Sequence, residues 1–391
     1  MKVLKSTALG IIDGSIIGIL VGLLCFAFLS LLAKSSLLFQ QNPNLLYLLP
    51  VCGLFTLWIY KRFGEHSSLG NHLIIDEIHS PKKHIPLMMA PLIFITTILS
   101  HLFGASVGRE GTAIQMGGSI SEAIGRKINI DRLRRKSFLI AGMGAGFSAA
   151  LGVPFAGAIF GLEVLHLGRF KLTGIVQSTS ASFVAYAVTL LCKAPHSHYP
   201  QVEIYFSWQT LYYLILCALI WGITARIFIK SSHLIEKFGE QIKMNSYLKI
   251  LIASSLLVLV FNIEGTTIYN GLGIQTIQQS FETNVSWLVP LKKIFFTLFS
   301  LGAGFKGGEF TPLAFIGATI GSSFASYFAV STSLFAAVGF SALFGCSSKT
   351  PLSCTVMACE LFGLQILPFA FIACFISYLV SGHLSIYKYQ R

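Results

Sequence analysis

Gly108-Arg109-Glu110-Gly111 sets a carboxylate between two glycines, with an apolar segment on each side. Ile85-Pro-Leu-Met-Met-Ala-Pro-Leu-Ile-Phe-Ile95 precedes it and Thr112-Ala-Ile-Gln-Met-Gly-Gly118 follows. At bilayer depth an ionised side chain costs about 2.5–3.5 kcal/mol on insertion scales, so this glutamate needs compensation. The glycines suggest how it comes: the backbone breaks, a new helix begins, and its unpaired N–H groups face a negative charge. The simpler local alternative is an Arg109–Glu110 ion pair in a loop.

The surrounding composition sets the solvent. Of 391 residues, 54% are hydrophobic and 11% charged, with a mean hydropathy of +0.73. Soluble domains carry about 25% charged residues, so this chain is a multi-pass integral protein of the cell membrane. Its formal charge of +13 does not describe a nucleic-acid surface. Lys2 and Lys5, Lys61 and Arg62, Lys82 and Lys83, the basic residues from Arg126 to Lys136, and Lys292 and Lys293 sit at the ends of apolar runs. That is the positive-inside pattern, and it places the N-terminus and the second loop in the cytoplasm. Ile11 to Leu32 is too long for a signal-peptide core and reads as a retained first helix. Eight cysteines form no Cys-x-x-Cys pair, so neither a disulfide framework nor a zinc site is expected. His196-Ser-His198 reads as a solvated loop rather than a metal site. No cofactor is expected.

Apolar runs fall near 8–33, 45–60, 86–105, 112–126, 137–165, 172–193, 208–230, 247–263, 285–304, 310–330, 332–345 and 352–380. Several are too short to cross about 30 Å of hydrocarbon at 1.5 Å per residue. Partial helices survive at depth only when buried in protein or lining a wet cavity. The fold expected is an all-α membrane bundle with interrupted helices, a transporter or channel pattern. The chain also repeats itself. Gly146-Phe-Ser-Ala149 returns as Gly339-Phe-Ser-Ala342, and Pro154 and Glu163 have the spacing of Pro351 and Glu360. Glu110 ahead of the first copy matches Glu309 ahead of the second. This suggests one membrane domain, 1–391, built from two homologous halves, about 1–200 and 201–391. Transporters built from repeats place their substrate near the midplane, where the broken helices meet.

The second break is Gly302-Ala-Gly-Phe-Lys-Gly-Gly308-Glu309-Phe310-Thr311-Pro312. Proline suits the first turn of a helix, so 309–312 reads as a helix start with exposed amides. Two such starts converging favour a small anion, each by about 0.3–1 kcal/mol. Gly302 to Gly307 also fits a dinucleotide fingerprint, but no βαβ pattern surrounds it and no acidic residue follows at the required distance. The usual enzyme motifs are missing as well. A third break, Ser67-Ser-Leu-Gly70-Asn71-His72, opens a short apolar stretch in which Asn71 is either an N-cap or an anion contact. Tyr387, after the last run, is either an interfacial belt residue or a hydroxyl donor to an ion.

With these motifs in place, the chain resembles the CLC family of anion channels and anion/proton antiporters over nearly its whole length. Gly108-Arg-Glu-Gly111 is similar to the family's Gly-Arg/Lys-Glu-Gly-Pro motif, with Thr112 where proline is usual. Gly308-Glu-Phe310-Thr-Pro312 is similar to its Gly-x-Phe-x-Pro motif. Tyr269-Asn-Gly-Leu-Gly273 resembles the glycine-rich segment that precedes it. Tyr387 stands at the place of the tyrosine closing the inner end of the pore. The resemblance implies an inverted-repeat helical bundle, a homodimer with one pore per subunit, and Glu110 as a gating glutamate that competes with the anion and carries protons. The chain ends just past Tyr387, which implies that the cytoplasmic regulatory domains of many members are absent.

Three departures refine the expectation. Gly70-Asn71-His72 lacks the anion-contacting serine of chloride-handling members. Glu309 fills a position usually apolar. Val164, after Glu163, stands where proton-coupled chloride members carry an internal glutamate. Together these resemble the fluoride/proton antiporter branch. Expected site residues are Glu110 and Glu309 for proton transfer, and Asn71, Glu110, Phe310, Thr311 and Tyr387 around the anion. Gly70, Gly108, Gly111 and Gly308 are the helix breaks, and Glu163 and Glu360 are structural. The expected partners are fluoride, protons and the bilayer. The alternatives are a chloride/proton antiporter or passive chloride channel of the same fold, a cation-coupled organic-anion transporter, and a membrane-embedded enzyme.

Overall fold

The computed structural model describes residues 2–64, 66–166, 172–202, 206–388 and 390. The side chains of residues 2–6, and with them Lys2 and Lys5 of the basic pattern, lie outside the described part. Among the described residues there are sixteen α-helices and no strand. The first eight are α1 (Lys2–Gln41), α2 (Leu49–Phe63), α3 (Asn71–His79), α4 (Met89–Leu102), α5 (Glu110–Lys127), α6 (Arg132–Leu151), α7 (Pro154–Glu163) and α8 (Ile175–Leu191). The next eight are α9 (Trp208–Gln241), α10 (Ser246–Glu264), α11 (Ile274–Gln279), α12 (Leu288–Gly302), α13 (Phe310–Phe328), α14 (Thr332–Ser348), α15 (Pro351–Phe362) and α16 (Leu367–Ser381).

The second eight follow the first in order and packing. Each set opens on a long helix, of 40 and 34 residues, and has a very short third one, of 9 and 6 residues. α1 packs on α8 as α9 packs on α16, and α5 on α6 as α13 on α14. Among the described residues, five helical stretches are long and apolar enough to cross a membrane. α3, α7 and α11 are not, because ten residues of helix span only about 15 Å.

The apolar runs at 137–165 and 352–380 are each two helices rather than one. The first breaks at Gly152, in the left-handed region at φ 80°, before Pro154 starts α7. The second breaks at Gly363, at φ 102°. Hydropathy alone does not register a break that keeps every side chain apolar.

The repeat is present in the helix order, but two of its expected registers shift. Gly117 crosses Gly142 so closely that an added Cβ would lie 2.0 Å from a carbonyl oxygen, and Gly317 crosses Gly339 in the same way. Gly339 therefore corresponds to Gly142, and the Gly-Phe-Ser-Ala match at 146 is one helical turn out. The Pro154/Pro351 and Glu163/Glu360 matches hold, for a structural reason. The Glu163 carboxylate accepts the N–H groups of Leu352 and Ser353 at 2.9 and 2.7 Å. The Glu360 carboxylate accepts those of Phe155 and Ala156 at 2.9 and 2.8 Å. α7 and α15 thus lie antiparallel, and each ends in the acid that caps the other's first turn. Free helix-start amides and buried carboxylates satisfy one another.

Lys293 also departs from the simple charge pattern. Lys292 pairs with Glu264 at 2.7 Å. Lys293 is fully buried, and its ammonium donates to the carbonyls of Tyr269 and Gly271 at 3.0 and 2.9 Å. It pins the glycine-rich segment rather than marking a loop.

Candidate anion and proton site

The two breaks meet. Gly108 N–H donates to the Gly308 carbonyl at 2.6 Å, and Gly308 N–H returns the bond to Gly108 at 2.8 Å. This two-residue antiparallel bridge explains the glycines. A Cβ on Gly108 would stand 2.7 Å from the Gly308 oxygen, and one on Gly308 would stand 2.6 Å from the Gly111 nitrogen. Only bare backbone permits that approach. α5 and α13 start immediately after the bridge, so two helix N-termini share one place.

The bridge also sets the register of the breaks. Gly108 matches Gly308, so Arg109 matches Glu309 and Glu110 matches Phe310. The expected equivalence of Glu110 with Glu309 is one residue out. The acids occupy different positions on like scaffolds.

Glu110 is 1% exposed. Its Oε2 accepts the Thr311 hydroxyl at 2.6 Å and the Arg109 amide at 3.2 Å, and its Oε1 accepts Arg109 Nε at 3.3 Å. The Arg109–Glu110 ion pair considered as a loop alternative is therefore real, but it lies inside the crossing of the two breaks. Arg109 Nη2 continues to Ser197 Oγ at 3.1 Å, and His196 Nε2 bonds the Ala149 carbonyl at 2.9 Å. His196 and Ser197 are thus tied to the site's surroundings, while His198 is exposed as expected of a solvated loop. Among the described residues no group of three or more metal-ligating side chains is assembled.

The remaining expected residues gather here with different roles. Gly70 takes φ 56°, a conformation that suits glycine, and Asn71 is the first residue of α3. Gly70, not Asn71, occupies the N-cap of α3. The Asn71 Oδ1 is buried without a partner, and its Nδ2 lies 3.4 Å from where a Gly111 Cβ would be. The capping reading of Asn71 is thereby replaced: its amide faces the start of α5. Glu309 flanks α13 and is partly exposed. Among the described residues no ion pair holds it. Tyr387 is 5% exposed, so it is buried in the bundle rather than lying in an interfacial belt.

Phe310 is 2% exposed and meets Phe344, Phe340 and Phe147 edge to face at 4.6, 5.7 and 5.8 Å between ring centroids. Phe147 stacks in turn on Phe160 at 4.3 Å. This aromatic wall was not singled out in the sequence, where 33 phenylalanines give no hint of which converge. The Gly-Phe pairs at 146–147 and 339–340, on helices crossing at glycine, are the signal that marks two of them.

A helical membrane bundle whose broken helices cross at a buried carboxylate is an ion transporter by architecture. The chain belongs to the voltage gated chloride channel family, whose model matches residues 52–382. A relative from Pseudomonas syringae pv. tomato, described as a chloride/fluoride channel protein, is 41% identical over 360 residues, 90% of this chain and 79% of that one. The crystal structure of a CLC-type fluoride/proton antiporter superposes with a TM-score of 0.95 at 29% identity, covering 99% of this chain and 98% of the other. The fold is shared more widely: a slow cyanobacterial Cl⁻/H⁺ antiporter gives a TM-score of 0.83 at 16% identity, over 97% and 96% of the two chains.

Proposed function

We propose that the protein exports fluoride in exchange for protons, as a homodimer with one path per subunit, each chain a single membrane domain of two related halves meeting near residue 200. The observation that carries this reading is the Glu110 carboxylate on the Thr311 hydroxyl, where the starts of α5 and α13 meet. A site that holds a carboxylate by such donors can hold a small anion by the same donors. Deprotonated Glu110 occupies it; protonated Glu110 loses its charge, leaves, and admits fluoride. Fluoride is strongly hydrated, so the Thr311 hydroxyl, the amides of Phe310 and Thr311, the Asn71 amide and the Tyr387 hydroxyl replace its water. Glu309 supplies a second carboxylate. Two acids in a low-dielectric site cannot both stay ionised cheaply, so the pair shares its protons. Outward fluoride and inward protons move charge in the same sense, and the membrane potential drives export at about 2.3 kcal/mol per charge per 100 mV.

The test is efflux from proteoliposomes loaded with fluoride or chloride, with external pH recorded. Fluoride efflux accompanied by proton uptake, with much slower chloride efflux, is expected. Fluoride efflux without pH change would make the protein a channel, and faster chloride efflux would make it a chloride transporter.

A further inference from the structure

The two lysines buried deepest among the described residues both end on oxygen. Lys293 donates to the carbonyls of Tyr269 and Gly271. Lys349 donates to the Ser381 hydroxyl and the Gly382 carbonyl at 2.7 and 2.6 Å. Lys306 is held differently. It stands in the second break, two residues before the Gly108–Gly308 bridge. Its ammonium lies over the Tyr60 ring of α2, 4.7 Å from the centroid. Among the described residues no carboxylate pairs with it. Glu309, three residues on, leaves it unpaired. In the register of the bridge, Lys306 matches Ser106 of the first break. Ser106 is small, neutral and satisfied by α12: its N–H donates to Ser300 Oγ at 3.0 Å, and its hydroxyl meets that of Thr297 at 3.1 Å. The second break therefore puts a cation with spare N–H donors where the first has a closed polar contact. An ammonium carries three donors, and a ring face engages its charge without accepting them all.

The space around this segment is polar and open. Phe305 and Phe310 are each 2% exposed, while Lys306 and Glu309 between them remain partly exposed. That exposure keeps the ammonium hydrated. A cavity of about 470 Å³ lies between α2, α9, α10 and α12, and it reaches Gly302, Ala303 and Gly304, the turn that leads into the segment. Its lining also includes Glu236, Glu240, Ser246 and Lys249. Next to Ser246, Tyr247 lies under the Lys61 ammonium at the end of α2, 4.4 Å from the ring centroid. This end of the cavity thus stands on the face that the positive-inside pattern assigns to the cytoplasm. Its charges balance: Glu236 is held by Lys388, and Glu240 shares the lining with Lys249. Beyond them, Lys306 is a cation without a counter-ion.

We infer that the Lys306 ammonium is an anion-collecting site on the cytoplasmic side of the second break, a station that fluoride occupies before it reaches the crossing of α5 and α13. The identity of the anion rests on the proposed function; the presence of an anion site does not. A compact, strongly hydrated ammonium suits a small, strongly hydrated anion. A fixed charge in a cleft walled by apolar helices raises the local concentration of its counter-ion about tenfold or more. Lys306 thereby sets how little cytoplasmic fluoride suffices for export, without taking part in proton exchange.

The test uses the full-length protein and two readouts. In the first, initial fluoride efflux from proteoliposomes is measured across a range of internal fluoride, with pH recorded. Lys306→Gln is expected to raise KM about tenfold, while the maximal rate and the proton-to-fluoride ratio stay within about twofold, the pattern of lost uniform binding. Lys306→Arg keeps the charge and is expected to restore KM. In the second readout, sodium fluoride and sodium chloride are titrated into the solubilised protein by calorimetry. K306Q is expected to weaken fluoride binding by the same factor. Unchanged KM and affinity in K306Q overturn the site. So does a changed proton ratio at unchanged KM, which would make Lys306 a partner of Glu309 instead. If the wild type binds an anion yet moves no fluoride, the transport reading fails and calorimetry still decides the site. If K306Q does not fold, Tyr60→Leu decides: removing the ring that holds the ammonium is expected to raise KM about threefold, and an unchanged KM overturns the inference.

Discussion

The two helix breaks share a backbone and divide the chemistry. At each, a helix ends in a glycine with positive φ, Gly104 at 78° and Gly304 at 95°, a short extended piece enters the Gly108–Gly308 bridge, and a new helix starts two residues later. At the position where the first break carries Glu110, the second carries Phe310. Where the first carries Arg109, the second carries Glu309. One scaffold therefore supplies a buried acid, and the other supplies an apolar wall and the hydroxyl of Thr311 beside it. Near-symmetric backbone builds a site with two helix ends, and asymmetric side chains give that site a carboxylate on one side and a neutral donor on the other.

Glu110→Gln tests the asymmetry most severely. It keeps the shape of the side chain and removes its charge, so proton uptake coupled to fluoride efflux is expected to vanish in proteoliposomes. Persistent proton uptake would leave the first break with no special role. Glu309→Ala comes next. It removes the acid displaced by one residue from its expected match, and the expected result is proton flux reduced about a hundredfold with fluoride binding retained, the lower end for a missing proton-transfer group. An unchanged flux would confine proton handling to the first break. Thr311→Val removes the hydroxyl that the second break lends to the first. Loss of one charge-assisted hydrogen bond is worth about 1.5–3 kcal/mol, but Arg109 still holds the carboxylate, so the lower end is expected: fluoride transport down about tenfold with its proton ratio unchanged. An altered ratio would show that Thr311 governs the proton as well as the anion.

Much of this was legible from the residues. Gly-x-Glu-Gly in an apolar run, and a glycine-rich turn ending in Thr-Pro, mark helix starts by chemistry that does not depend on tertiary context. The bundle, its membrane setting and the approach of residues 110 and 311 followed from those marks and from the family resemblance. What stayed hidden depends on register. Gly146-Phe-Ser-Ala and Gly339-Phe-Ser-Ala match as letters, yet Gly142 is the residue that crosses Gly117. A helix places similar side chains on the same face a turn apart, so a one-turn slip keeps the pattern plausible. Likewise only the Gly108–Gly308 bridge shows that Glu110 and Glu309 differ by one position. Asn71 looked equally fit to cap a helix or to face the site, and the choice turned on the Gly70 dihedral. Lys293 looked like a loop marker beside Lys292 because burial by distant carbonyls leaves no local trace.

The exchange of acids between α7 and α15 has a consequence for synthesis. Phe155 and Ala156 receive their cap from Glu360, 205 and 204 residues further along the chain. A ribosome adding about 5–20 residues per second reaches that glutamate roughly 10–40 s later. Through that interval the nascent first half carries bare amides in the bilayer. It closes only when the second half arrives, so the last helices to be made complete the first.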